Sequence, residues 1–223
     1  MRACASVSAQ TAAIDVEWEL LEPLLDPDEA VRQGSLLGPA RERSRGDYER
    51  GLAEADVVVE AEFRTQVVLH NSMETHQAVV EWIGEGVEVH ISTQYIWGIR
   101  DAVAQGLGLP ADKVRVVCRY MGGGFGSKNG PDDYTFIAAE LARRTHRPVK
   151  CALTRREENT AAGNRNATIQ RLTVGARSDG TLTALGGEFV NAVGWDGWSS
   201  GTEGPMQMLY ACPNVKKIGR AHV

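Results

Sequence analysis

The chain has 223 residues, 43% of them hydrophobic and 24% charged, with a net charge of −5. That balance suits a globular chain able to bury one large core or two small ones. It disfavours nucleic acid as the main partner, because phosphate binding needs a basic surface. No apolar run reaches the roughly 18 residues that a membrane-spanning helix requires, and Met1 to Ala13 lacks the apolar middle of a signal peptide. The four cysteines, Cys4, Cys118, Cys151 and Cys212, form no CxxC pair or Cys/His cluster. They offer no iron–sulfur or zinc site and read as reduced thiols of a cytoplasmic protein.

In chain order, Ile14 to Trp18 alternates as a strand. Asp26-Pro27-Asp28-Glu29 predicts a short helix, with Asp26 as cap and Pro27 at the first helical position. Gln33 to Asp47 carries Gly34, Gly38, Pro39 and Gly46 around the mixed-charge run Arg41 to Arg45, and reads as an exposed linker. Val57 to Arg64 starts as an apolar run that predicts a buried strand, extended by Val67 to Leu69. Ala78 to Trp82 and Val87 to Thr93 predict a hairpin across Gly84-Glu85-Gly86. Ile99 to Leu107 has helical spacing and stops at Gly108-Leu109-Pro110. Val114 to Cys118 is an apolar strand, and a glycine loop runs from Gly122 to Gly130. Pro131 to Thr145 is the strongest helix, with Phe136, Ile137, Ala139, Glu140 and Leu141 on helical spacing and Arg143 and Arg144 placed to favour its dipole. Val149 to Leu153 is a strand. Arg171 to Ala176 and Thr181 to Asn191 pair around Ser178-Asp179-Gly180, and the remainder is Gly/Trp/Ser-rich loop. Strands and helices mix without strict alternation, which predicts an α+β fold with mixed or antiparallel sheets and packed helices.

Met121-Gly122-Gly123-Gly124-Phe125-Gly126-Ser127-Lys128 is the most informative stretch. Glycines allow backbone to approach a ligand closely, and successive N–H groups in such a turn can hold an anion or an oxo group. Two familiar phosphate motifs fail on spacing. A P-loop needs lysine directly after its last glycine, and here Ser127 intervenes. A GxGxxG fingerprint started at Gly122 ends on Ser127, and one started at Gly124 ends on Asn129. A tight strand-to-helix turn remains an equally good reading of the glycines alone.

This segment resembles the GGGFG(G/S)K signature of the molybdenum-binding subunits of xanthine dehydrogenases and aldehyde oxidases. Four others, in the same order, resemble that family too: Ile91-Ser92-Thr93-Gln94; His70-Asn71-Ser72-Met73-Glu74-Thr75-His76; Arg147 to Lys150 with Leu153 to Glu158; and Ile14 to Ala30, which resembles the tail of a preceding hammerhead domain. The resemblance implies a domain order of 1–33 as that tail, 34–50 as linker and 51–217 as the first part of a molybdopterin-binding domain. Residues 218–223 lack apolar periodicity and are expected to be a non-native tail outside the fold.

The same resemblance implies site roles. Gly123, Gly124, Phe125 and Gly126 would line the cofactor, with the N–H groups of Phe125 and Gly126 facing an oxo group, and Gln94 would be a side-chain donor to it. No protein atom would ligate the metal, because the pterin dithiolene holds it. His70, Glu74 and His76 lack HExxH spacing and are expected to serve in structural hydrogen bonds. Purine-oxidising members carry a glutamate where this chain has Asn129, so Asn129 in the substrate pocket disfavours purines. The implied reaction hydroxylates an aldehyde or aromatic heterocycle with water as oxygen source. Electrons would pass to a [2Fe–2S] subunit and a FAD subunit, and the pterin could be the cytosine dinucleotide form. The family's catalytic glutamate lies beyond residue 223, so the isolated piece is expected to be inactive. A non-catalytic binding or assembly module with the same fold is the alternative.

Overall fold

The computed structural model describes residues 22–193 and 201–222, together with Glu17 and Glu19. The strand expected at Ile14 to Trp18 thus falls almost wholly outside the described residues. The elements are α1 (Pro27–Gln33), β1 (Arg41–Arg45), α2 (Tyr48–Ala53), β2 (Val57–Thr65), β3 (Gln77–Ile83), β4 (Gly86–Ile91), α3 (Ile96–Leu107), β5 (Val114–Val117), α4 (Asp132–Thr145), β6 (Val149–Ala152), α5 (Arg155–Ala161), β7 (Thr168–Ala176), β8 (Leu182–Ala192), α6 (Glu203–Leu209) and β9 (Val215–His222). They form two sheets, ordered β5-β4-β3-β6 and β1-β9-β8-β7-β2. Among the described residues only the β4–β5 and β8–β9 pairs are parallel. The α+β class with mixed sheets and packed helices is what the sequence predicts. No helix among the described residues is long and apolar enough to cross a membrane.

The four-stranded sheet carries one core. Ala78, Val80, Val87, Val89 and Ile91 alternate along β3 and β4 onto a single face and meet Ile99 and Val103 of α3 and Tyr134, Ala138 and Ala139 of α4. Period-2 strands thus present their apolar side to helices that bury theirs at period 3.6. The α4 face differs from the expected one. Ile137 and Leu141 are 52% and 45% exposed, and the buried stripe is Tyr134, Thr135, Ala138, Ala139 and Ala142. Alanines let α4 lie close to the sheet, and Trp82 reaches across to donate to Ala139 O at 2.9 Å.

β2 also departs from its expected burial: Val57, Val58 and Val59 are about half exposed. It is the outermost strand of the five-stranded sheet and pairs on one side only, with β7. Val67 to Leu69 does not extend β2; Val68 makes one bridge to Arg165. The buried cluster on this sheet is Leu185, Phe189, Met206, Cys212 and Val215.

The expected linker belongs to the fold. β1 pairs antiparallel with β9, Arg45 opposite Val215. The side chain of Asn214 ties the segment down, accepting from Asp47 N at 2.8 Å and donating to Thr183 O at 2.9 Å. Charge patterning hides this, because β1 is exposed along its whole length and is held by backbone hydrogen bonds. Residues 218–222 are likewise inside the fold, as the second half of β9, paired with Glu188 to Ala192 of β8. Backbone pairing requires no apolar alternation.

The Gly51 position in α2 tests this reading by sign. A Cβ there would sit 2.3 Å from the Thr183 carbonyl oxygen on β8. Gly51→Ala is expected to destabilise by about 1–3 kcal/mol through overpacking, measured by urea unfolding. A helix not packed against β8 would instead gain about 0.5–1 kcal/mol from the same change.

Candidate functional site

β4 and β5 run parallel with α3 between them, so their carboxyl ends open on the same side. In open sheets containing parallel strands that edge is where ligands bind. Gln94 follows the end of β4, and the glycine loop follows β5 and leads into α4. The loop's shape depends on positive φ at Gly123 (+94°), Phe125 (+51°) and Gly126 (+100°). For Phe125 this is a strained conformation, maintained from outside: Arg165 Nη2 donates to Phe125 O at 2.8 Å. Ser127 closes the turn, its N–H and hydroxyl both donating to Gly124 O, at 3.0 and 2.8 Å.

Gln94 is brought against this loop. Its Oε1 accepts the Gly126 N–H at 2.7 Å. That bond corrects one expectation, since the Gly126 N–H is engaged by Gln94 and is not free to face a ligand. It also settles the orientation of the carboxamide: a backbone N–H can only donate, so Gln94 presents oxygen to it and keeps its Nε2 donors. Neither Nε2 of Gln94 nor the N–H of Phe125 has an acceptor among the described residues. A Cβ at Gly124 would lie 2.4 Å from Gln94 Oε1 and displace the carboxamide. Asn129 is exposed beside the loop and donates Nδ2 to Gly126 O at 3.0 Å. Gln94, Gly123, Gly124, Phe125, Gly126 and Asn129 therefore share one place.

Beneath the loop lies a polar cluster. Glu74 Oε2 accepts from Gly122 N–H at 2.7 Å and from Ser92 Oγ at 2.7 Å, and Glu74 Oε1 accepts from Gln77 at 2.9 Å. Burial opposes ionisation of Glu74, but the donors of Ser92, Gly122 and Gln77, with the charge of Lys128, outweigh it and hold the carboxyl at about 2. Lys128 has no exposed surface. Its Nζ donates to Glu74 O at 2.8 Å and Ser92 Oγ at 3.0 Å and lies 3.4 Å from Glu74 Oε2.

His76 is also fully buried. Its Nε2 lies 3.3 Å from Ser127 O, so that nitrogen carries the proton. Its Nδ1 stands 3.8 Å from Glu158, too far for a hydrogen bond. Burial, then the positive charge of Arg165, lowers the pKa of His70. Among the described residues no three His, Cys, Asp or Glu side chains are grouped to hold a metal.

Sequence reasoning missed two parts of this arrangement, the Glu74–Lys128 pair and the Arg165 anchor of Phe125. A lysine closing a glycine motif between strand and helix is the only signal for the first. Arg165 carries none, because its position depends on the bridge to Val68.

A model of the molybdopterin cofactor-binding domain matches residues 33–223. The chain is 32% identical over 176 residues to the xanthine dehydrogenase/oxidase of Gallus gallus, covering 78% of this chain and 13% of that protein. It is 33% identical over 165 residues to the aldehyde oxidoreductase molybdenum-binding subunit PaoC of Escherichia coli (strain K12), covering 74% of this chain and 22% of that one. Among solved structures, quinoline 2-oxidoreductase from Pseudomonas putida 86 superimposes with a TM-score of 0.76 at 24% identity, over 100% of this chain and 30% of that one. Reconstituted CO dehydrogenase from Oligotropha carboxidovorans gives 0.75 at 21% identity, over 97% of this chain and 31% of that one. These two share its fold, and this chain spans less than a third of each of the four.

Proposed function

Because the chain belongs to the molybdopterin cofactor-binding domain family, we propose that it forms one wall of the cofactor pocket in a molybdenum hydroxylase. The whole enzyme acts on an aldehyde or aromatic heterocycle, takes oxygen from water, and passes electrons to [2Fe–2S] and FAD carriers on partner subunits. It works in the cytoplasm, its pterin is plain or in the cytosine dinucleotide form, and this stretch alone is inactive. Residues 1–33 are the tail of a hammerhead-type domain.

The observation that carries this reading is the donor set. The Phe125 N–H and Gln94 Nε2 lie at one loop with no protein acceptor among the described residues, and a Cβ at Gly124 would invade the same place. Neutral donors without thiolate or carboxylate ligands suit a cofactor that brings its own metal ligands, and they fix an oxo group without adding charge. When bound, the cofactor supplies the redox centre for hydroxylation. Gln94, Gly123, Gly124, Phe125 and Gly126 hold its face, with Gly126 acting indirectly by orienting Gln94. Asn129, a neutral amide, cannot relay a proton as a glutamate would, which supports a substrate other than purine.

The test is metal and pterin analysis of the whole enzyme alongside Gln94→Ala. The parent is expected to carry stoichiometric molybdenum, and loss of one positioned donor is expected to lower kcat by roughly 100-fold or more. A parent without molybdenum or pterin would favour the non-catalytic assembly module.

A further inference from the structure

The glycine loop is mostly open to solvent, yet both of its ends converge on one carboxylate. At the entry, Gly122 donates its N–H to Glu74 Oε2 at 2.7 Å, and Gly122 O accepts from Glu74 N at 3.2 Å. At the exit, Lys128 turns its ammonium inward to Glu74 O and Ser92 Oγ, 3.4 Å from the same Oε2. The main chain of Lys128 faces the other way: its carbonyl accepts from Gln94 N at 2.9 Å and Thr93 Oγ1 at 2.9 Å. One residue therefore joins the loop's exit, the Glu74 carboxylate and the strand end that carries Gln94.

Burying an ammonium completely is costly, and the turn does not need it, since Ser127 already closes the turn onto Gly124 O. What the charge adds is a fixed separation between the loop's ends and a fixed place for Gln94 relative to Gly126. We propose that Glu74 and Lys128 are positioning residues that clamp the glycine loop from below, so that the donors of Phe125 and Gln94 are pre-set for the cofactor. The part about the cofactor rests on the function proposed above; the clamp itself does not.

The experiment uses the whole enzyme and three variants: Lys128→Met, which keeps an unbranched stem without the charge; Glu74→Gln; and the double variant. Hydrogen exchange is followed in peptides spanning 119–130, β3 and α4, on cofactor-free protein, and melting temperature and retained pterin are measured on each enzyme as purified. Each single variant is expected to melt lower, to speed exchange at 122–127 by roughly tenfold or more and to retain less pterin. The double variant leaves no lone buried charge, so its melting temperature is expected to recover towards the parent while loop exchange stays fast and pterin retention stays low. If loop exchange in the double variant returns to the parent rate, or if exchange rises equally in all three peptides, the pair serves only folding and the clamp is wrong. A parent that retains no pterin would remove the cofactor reading, and loop exchange would still decide the clamp.

Discussion

Gly124→Ala in the whole enzyme is expected to lower kcat/KM by on the order of 100-fold, as a misplacement of about 1 Å can, while changing stability by no more than about 1 kcal/mol. The asymmetry follows from what the new methyl group meets. The three nearest atoms are Oε1, Cδ and Cγ of Gln94, at 2.4, 2.6 and 2.8 Å. These belong to an exposed, flexible side chain, which can swing aside at little cost to the fold. Moving it breaks its bond to the Gly126 N–H and with it the orientation of the carboxamide. Activity should therefore fall much as in Gln94→Ala, and the two changes together should cost little more than either alone. Gly122→Ala is the contrasting control. Its Cβ would lie 2.5 Å from Glu74 Cβ and 3.3 Å from the Glu74 backbone nitrogen, so both stability and activity should drop. Full activity in Gly124→Ala would mean that the carboxamide of Gln94 does not face the chemistry.

Glu74→Leu is expected to destabilise by about 3 kcal/mol or more, because it leaves the Lys128 ammonium buried without its counter-charge. Urea unfolding of the parent and the variant measures this directly. The pH dependence has a definite sign. Glu74 ordinarily titrates at 4.5 and is held at about 2 in the fold. A depressed acid contributes its full stabilisation above its unfolded value and loses it as pH falls through its folded value. The stability gap between parent and Glu74→Leu is therefore constant above about pH 5, and the Glu74 contribution shrinks between 4.5 and 2. A gap that closed near neutral pH would show that Glu74 is not held as the structure describes.

Much of the frame that carries the candidate site was legible because its determinants are local. The hairpin from β3 to β4, the stop of α3 at Gly108 and the run from β5 through the glycines into α4 are each specified within a few residues by period, turn chemistry and glycine. Gln94 was legible only by resemblance, since nothing in its spacing announces that a strand end meets a loop beyond residue 120. α5 was missed although its start is written plainly: Thr154 and Glu157 make a reciprocal capping box, the pattern expected of a threonine followed three positions later by glutamate. β1 could not be read locally, because an exposed charged strand is specified by its partner. The face of α4 was misjudged for a similar reason. Ile137 and Leu141 are large apolar side chains left exposed, because the buried stripe is Tyr134, Thr135 and three alanines, and Phe136 packs where Gly106 leaves room on α3.

The pairing of β1 with β9 also bears on how quickly the molecule can reach its native state. Arg45 must wait for Val215, and β8 must wait for a parallel neighbour delivered only after α6. A distant pairing and a parallel one both form late and slowly, since the entropy of closing the intervening chain is lost before any contact repays it. During synthesis β7 and β8 can meet as a hairpin early, while the outer flank of β8 remains an open template for another chain. The five-stranded sheet is thus the kinetic weak point, whereas the partners described for the glycine loop all lie between Glu74 and Arg165 and are present before β9 is made.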